Sequence, residues 1–187
     1  KYHIAKTPVT NAQYRLFVKD DGHSAPGNWK DGRIPRGLEI HPVTYVSWYD
    51  AMSYCKWLSK KTGKHVRLPS EAEWEKAARG TQDKRKFPWG DYFGPAKCNC
   101  GDLGLLDTTP VGILTEGSSP FGCLDMAGNV WEWTDSFFDN KKTSKVLRGG
   151  SWDASAFGGA RCFSRIECDP NSSANDLGFR CVRTIDN

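Results

Sequence analysis

Apolar positions in the first eighty residues recur with a helical period in three stretches, each opened by a capping residue. Thr10-Asn11-Ala12-Gln13 sets a hydroxyl three positions before a glutamine, so that each side chain can satisfy the other's orphan backbone amide. A helix is predicted from there towards Lys19, with Tyr14, Phe17 and Val18 on one face. Ser47 opens a second helix carrying Ala51, Cys55 and Leu58 at helical spacing, and Gly63 is placed to end it in a left-handed conformation. Ser70-Glu71-Ala72-Glu73 opens a short third helix that buries Trp74, Ala77 and Ala78 and closes at Gly80.

Beyond Phe87 the helical period disappears. Short apolar runs at 109–112, 129–134, 146–152 and 178–183 alternate with turns rich in Gly, Pro and Asn, and read as strands joined by long loops. So much irregular chain ordinarily counts against a compact domain. Eight Trp, nine Phe and six Tyr offset this, because large aromatics bury loops where regular elements are few. No unit of 20–50 residues repeats, which excludes a solenoid or propeller. At 187 residues and 38% hydrophobic content, the chain 1–187 is sized for a single domain around one core.

No apolar run approaches the length of a membrane span, and the chain is expected to be soluble, with any lipid-bearing cysteine lying before Lys1. The net charge of +4 comes from scattered Lys and Arg. Its densest group, Lys56, Lys60, Lys61 and Lys64, falls on one exposed helix end without interleaved aromatics. It reads as a solvated face, and no nucleic-acid partner is expected. The seven cysteines form no CxxC pair and the four histidines stand far from most of them, so a structural zinc site is not expected. An odd count leaves room for disulfides plus at least one free thiol and favours an oxidising compartment.

Seven motifs then follow in order. They are Pro8-Val9-Thr10-Asn11; His41-Pro42-Val43 with Val46-Ser47-Trp48; Arg67-Leu68-Pro69-Ser70-Glu71-Ala72-Glu73-Trp74-Glu75; Pro88-Trp89-Gly90; Gly128-Asn129-Val130-Trp131-Glu132-Trp133; Arg148-Gly149-Gly150-Ser151-Trp152; and Gly178-Phe179-Arg180. In this order they resemble the signature of the formylglycine-generating-enzyme, or sulfatase-modifying, family over nearly the whole chain. The resemblance implies an α+β, C-type lectin-like fold with few helices, a small twisted antiparallel sheet and much irregular structure. The C-terminal segment, 148–183, would line the functional face.

What the resemblance implies about chemistry is divided. Oxidase members hold copper between two thiolates just after the Gly-Gly-Ser motif, because copper(I) needs soft ligands. Here Ala154 stands at the first of those positions and Phe157 to Gly159 cover the second, so oxidase activity is not expected and no cofactor is required. The iron-dependent sulfoxide synthases of the family take histidines from an additional helical domain for which this chain has no room. A calcium loop of the enzymes is similar to Asp125–Glu132, with side chains of Asp125 and Glu132 and carbonyls of Gly128 and Val130 as its oxygen ligands; calcium is carried forward as an expectation against a purely structural role. The family's disulfide positions imply a Cys55–Cys181 bond, against two neighbouring buried thiols.

Between the frames 148–152 and 177–180, residues 153–176 show no periodic pattern. That layout is similar to the variable proteins of diversity-generating retroelements, in which adenine-directed mutagenesis of AAC or AAT codons cannot yield Lys, Glu, Gln, Met or Trp. Residues 1–152 hold 33 of these five types, whereas 153–176 hold one, Glu167. The resemblance implies a binding face of Asp153, Ala154, Ser155, Phe157, Gly158, Gly159, Phe163, Ser164, Ile166, Glu167, Cys168, Asp169, Asn171, Asn175 and Asp176. Trp152, Arg161, Arg165 and Phe179 would anchor its frame. The expected function is non-catalytic recognition of a protein or glycan by a monomer at a bacterial surface, the lysine-rich body resembling the lipoproteins of that branch. A copper oxidase or a non-variable accessory protein of the same fold are the alternatives.

Overall fold

Each predicted helix begins at its capping residue in the computed structural model, which describes residues 1–82 and 84–185. Thr10 Oγ1 accepts the Gln13 amide at 3.2 Å while Gln13 Oε1 accepts the Thr10 amide at 2.9 Å, and α1 runs Asn11–Asp21. Helix α2 spans Trp48–Thr62, with Asp50 completing a reciprocal cap on Ser47, and ends at left-handed Gly63. Helix α3 spans Glu71–Arg79. Helices α1 and α2 meet through aromatic rings: Tyr14 stacks on Tyr54 at 5.7 Å, and Phe17 and Phe179 stand edge-on to Tyr54. The main core continues from these rings through Trp131, Trp133, Leu147 and Cys181.

The sheet expectation is corrected in detail. Strands β1 (Tyr2–Ile4), β2 (Val66–Arg67) and β7 (Val182–Thr184) form an antiparallel sheet in the order β1-β7-β2. Strands β3 (Trp131–Phe137), β4 (Lys145–Arg148), β5 (Arg165–Cys168) and β6 (Leu177–Gly178) form a second sheet in the order β5-β4-β3-β6. That sheet is mixed, because β6 runs parallel to β3. The run 178–183 is not one strand: it breaks between β6 and β7, where Phe179 and Arg180 are fully buried.

Residues 109–112 form a loop in place of the expected strand, since side chains supply the partners that a ladder would. Thr109 N donates to Asn129 Oδ1 at 3.0 Å, Asn129 Nδ2 donates to Thr109 O at 3.2 Å, and Gly112 N donates to Asp125 Oδ2 at 2.7 Å. Lys56, Lys60, Lys61 and Lys64 lie exposed at the end of α2, and Lys61 pairs with Asp20 at 2.8 Å. No helix among the described residues is long and apolar enough to cross a membrane.

Candidate functional site

Strand β4 delivers Arg148 to a position where it is 1% exposed, and its two terminal nitrogens find partners there while its Nε has none among the described residues. Its Nη2 donates to Glu75 at 2.7 Å and to the Cys162 carbonyl at 2.6 Å; its Nη1 donates to Glu71 at 3.1 Å and to the Phe163 carbonyl at 3.2 Å. The Glu71 carboxylate also takes two donors from Arg165, at 2.7 and 3.0 Å. One carboxylate on α3 thus fixes both the end of β4 and the start of β5. The chain turns between them because Gly149 and Gly150 hold φ of 98° and 75°. A Cβ at Gly149 would stand 3.0 Å from the Trp74 ring, and one at Gly150 would stand 2.7 Å from the Gly159 carbonyl carbon.

The loop that follows is pinned from below by its backbone. Trp152 N donates to Asn129 O at 3.0 Å, Gly101 N donates to Ala154 O at 2.9 Å, and Asp102 Oδ2 accepts the Ala156 amide at 2.6 Å. Ala156 and Ala160 pack on Cys98, Cys100 and Ala127. Cys98 and Cys100 lie sulfur to sulfur at 3.7 Å, and hydrogen bonding from Cys98 draws the Cys100 thiol down to about 7. Farther along, Asp169 Oδ1 accepts the backbone and side-chain amides of Asn171, the Ala174 carbonyl accepts Tyr45 N, and the Asp176 carbonyl accepts Trp131 N. Apart from the Asp169–Asn171 contact, the hydrogen bonds that hold this segment here are made by backbone atoms or by residues outside 153–176.

The structure brings most of the expected face to the surface and withdraws part of it. Asp153, Ser155, Phe157, Gly158, Phe163, Ile166, Glu167, Asp169, Asn171 and Asn175 are exposed, with Phe157 at 60%, Phe163 at 46% and Ile166 at 39%. Gly159 is a correction: it is buried, and an added Cβ would lie 2.7 Å from Ala154 Cβ and 3.0 Å from Gly150 Cα. Ala154 and Cys168 are half-buried against the main core, and Ser164 and Asp176 are half-buried as well. Burial pushes the Cys168 thiol and the Asp176 carboxyl up. Glu167 lies on the same side of β5 as Arg165, opposite Ile166, because side chains alternate along a strand.

Arg161 is more than an anchor. Its guanidinium lies between two exposed rings, 5.2 Å from Phe157 and 5.6 Å from Phe163. Phe157 in turn meets Phe93 at 6.0 Å, so the aromatic surface reaches the loop at 92–93, where Tyr92 is 88% exposed. Sequence reasoning missed both residues. The signal was present as the aromatic cluster from Phe87 to Phe93, which has more rings than a loop needs for its own packing.

The expected calcium ligands Asp125, Gly128 and Glu132 are engaged with groups of the protein itself. Glu132 is fully buried, and its carboxylate accepts Arg180 Nε and Nη2, both at 2.7 Å, and Trp74 Nε1 at 2.8 Å. Its Oε2 takes two of these donors and its Oε1 one, so most of its acceptor capacity and its charge are spent on Trp74 and Arg180. Asp125 is engaged separately by Gly112 N, and burial raises its carboxyl. The Gly128 carbonyl accepts Val130 N at 3.0 Å. Chelation with EDTA is therefore expected to leave the thermal midpoint unchanged; a calcium-dependent rise in calorimetry would return Glu132 to the metal. Copper fares no better, since positions 154, 157, 158 and 159 offer a methyl group, a ring and two glycines in place of thiolates. Cys55 and Cys181 come together as buried thiols with sulfurs 3.7 Å apart.

The fold and this frame define a C-type lectin-like domain of the formylglycine-generating type. The chain belongs to the sulfatase-modifying factor enzyme 1-like family, whose model matches residues 1–185. It is 40% identical over 156 residues to inactive C-alpha-formylglycine-generating enzyme 2 of Bos taurus, covering 75% of this chain and 50% of that one, so it spans about half of that relative's length. It is 31% identical to the formylglycine-generating enzyme of Streptomyces coelicolor, covering 99% of this chain and 79% of that one. Its fold matches Treponema denticola variable protein 1 with a TM-score of 0.83 at 24% identity, covering 97% and 84% of the two chains. Relatives of this chain thus include proteins described as enzymes and others described as inactive.

Proposed function

We propose that this chain is a non-catalytic recognition protein whose segment 153–176 carries a side-chain-diversified surface for a protein or glycan ligand. The observation that carries this reading is the contrast within one segment: Phe157, Phe163 and Ile166 are exposed, while the backbone beneath them is tied down by Arg148, Arg165, Asp102 and Glu71. Phenylalanine and arginine are residue types enriched in the buried core of protein–protein interfaces. Preordering the backbone removes part of the entropic cost of association. The absence of both thiols of the oxidase members supports the same reading. We place the protein at a bacterial surface as a monomer held by a lipid anchor outside this sequence, where the Cys55–Cys181 pair closes as a disulfide.

Phe157→Ala is expected to change stability by no more than about 0.5 kcal/mol in urea unfolding, as surface substitutions do. The purified protein is expected to leave a Cys-X-Pro-X-Arg peptide unconverted when copper(I) and oxygen are supplied. Formation of the peptide aldehyde would refute the non-catalytic reading. A near-copy of the codons for residues 148–183, rich in adenines and beside a reverse-transcriptase gene, is the expected genomic signature; its absence would remove diversification and leave a non-variable binding protein.

A further inference from the structure

A recess of about 260 Å³ lies beside the proposed binding face, and it is lined largely by residues outside segment 153–176. Asn28, Thr44, Asp107 and Thr108 supply polar groups, Tyr45 and Trp152 supply rings, and Asn175 stands at the edge shared with the face described above. Asn28 is half-buried in this wall. Asn11, also in the wall, is already committed: its side chain donates to the Leu38 carbonyl and accepts Trp29 Nε1. His41 Nδ1 lies 2.9 Å from Thr108 Oγ1 and fixes that hydroxyl from behind.

The backbone of this recess is held in uncommon conformations. Tyr45 and Leu106, two bulky residues on its wall, adopt left-handed φ of 57° and 59°. Such conformations persist only where surrounding structure enforces them. Tyr45 N is held by the Ala174 carbonyl at 2.8 Å, and Trp152 N by the Asn129 carbonyl at 3.0 Å, so both rings sit on fixed backbone.

From this geometry we infer that the recess binds one uncharged sugar ring. Its volume equals roughly nine waters at ~30 Å³ each and falls just below the ~300–1,000 Å³ of drug-sized pockets, which admits one ring and not a folded chain. Amides and hydroxyls give and accept hydrogen bonds as a polyol requires, and Tyr45 and Trp152 offer flat faces for its C–H side. No lysine, arginine or histidine is among the wall residues, so an anion has no counter-charge. Asp107 spends one oxygen on the Thr108 amide at 2.6 Å and keeps the other as an acceptor. The inference goes beyond the preceding reading and stands whether or not segment 153–176 varies.

The test titrates the whole protein with methyl glycosides of glucose, galactose, mannose and N-acetylglucosamine, followed by chemical-shift changes at the Trp152 indole and the Asn28 side-chain amide. Saturable shifts at these groups with at least one glycoside are expected. Asn28→Leu or the near-isosteric Thr44→Val should weaken binding about tenfold, the value of one lost hydrogen bond. Phe157→Ala, outside the recess, should leave it unchanged. Matched thermal midpoints would separate lost binding from lost folding. No saturable shift with any of the four, binding indifferent to both Asn28→Leu and Thr44→Val, or shifts with methylammonium alone through Asp107 would overturn the inference. Loss of the catalytic-inactivity or diversification results would not touch it.

Discussion

Glu132→Ala is expected to destabilise the fold by about 3–5 kcal/mol, measured as a lower urea midpoint with an unchanged slope. The reason is the charge left behind. Arg180 is fully buried, and among the described residues its other hydrogen-bond partners besides Glu132 are the carbonyls of Ala5, Lys6, Leu124 and Asp125. Carbonyls satisfy its N–H groups without neutralising its charge. Trp74 Nε1 would lose its acceptor as well. Glu132→Gln keeps an oxygen in place and should cost less, which would separate hydrogen bonding from charge pairing. An alanine variant as stable as the parent would mean that the pair does not hold the two sheets and the N-terminal strand together.

Arg148→Met should cost about 2–4 kcal/mol, from the Cys162 and Phe163 carbonyls that it leaves without donors. The carboxylates lose less, because Glu71 keeps Arg165 and Glu75 keeps Arg79 at 2.9 Å. The damage should therefore be local. Hydrogen exchange is expected to accelerate at the amides of 161–165 and to stay slow in α1 and α2. If exchange rose uniformly, Arg148 would be a global stabiliser and not the tether of the recognition segment. Retention of Phe157→Ala stability beside this loss would mark the boundary between frame and face.

The parts of this fold that were legible in the sequence are local ones. The three helix starts follow from side chains that bond amides three residues away, as at Thr10–Gln13 and Ser70–Glu73. The glycine pair after Arg148 was legible as a fixed frame, and its steric reason is Trp74 and Gly159. Strands β1 and β2 were not visible, because each has at most three residues and exists only through pairing with β7 more than a hundred residues away. Strand β5 was hidden for another reason. It is an edge strand exposed over three of its four residues, so no buried alternation marks it, and its partner β4 alone sets its register.

The candidate site divides in the same way. Composition of 153–176 and the missing thiols were readable residue by residue, and exposed Phe157, Phe163 and Ile166 agree with them. The role of Glu132 was not readable, because a carboxylate beside Gly128 and Val130 suits an ion until Arg180, 48 residues on, is brought against it. Gly159 looked free to vary until the turn at Gly150 closed on it. What the amino-acid order determined by itself was each interaction that closes within a few residues, together with the family frame. Only the tertiary structure decided which buried charge neutralises which, which position lacks room for a Cβ, and which rings share a surface, because those depend on segments far apart in the chain meeting at atomic distance.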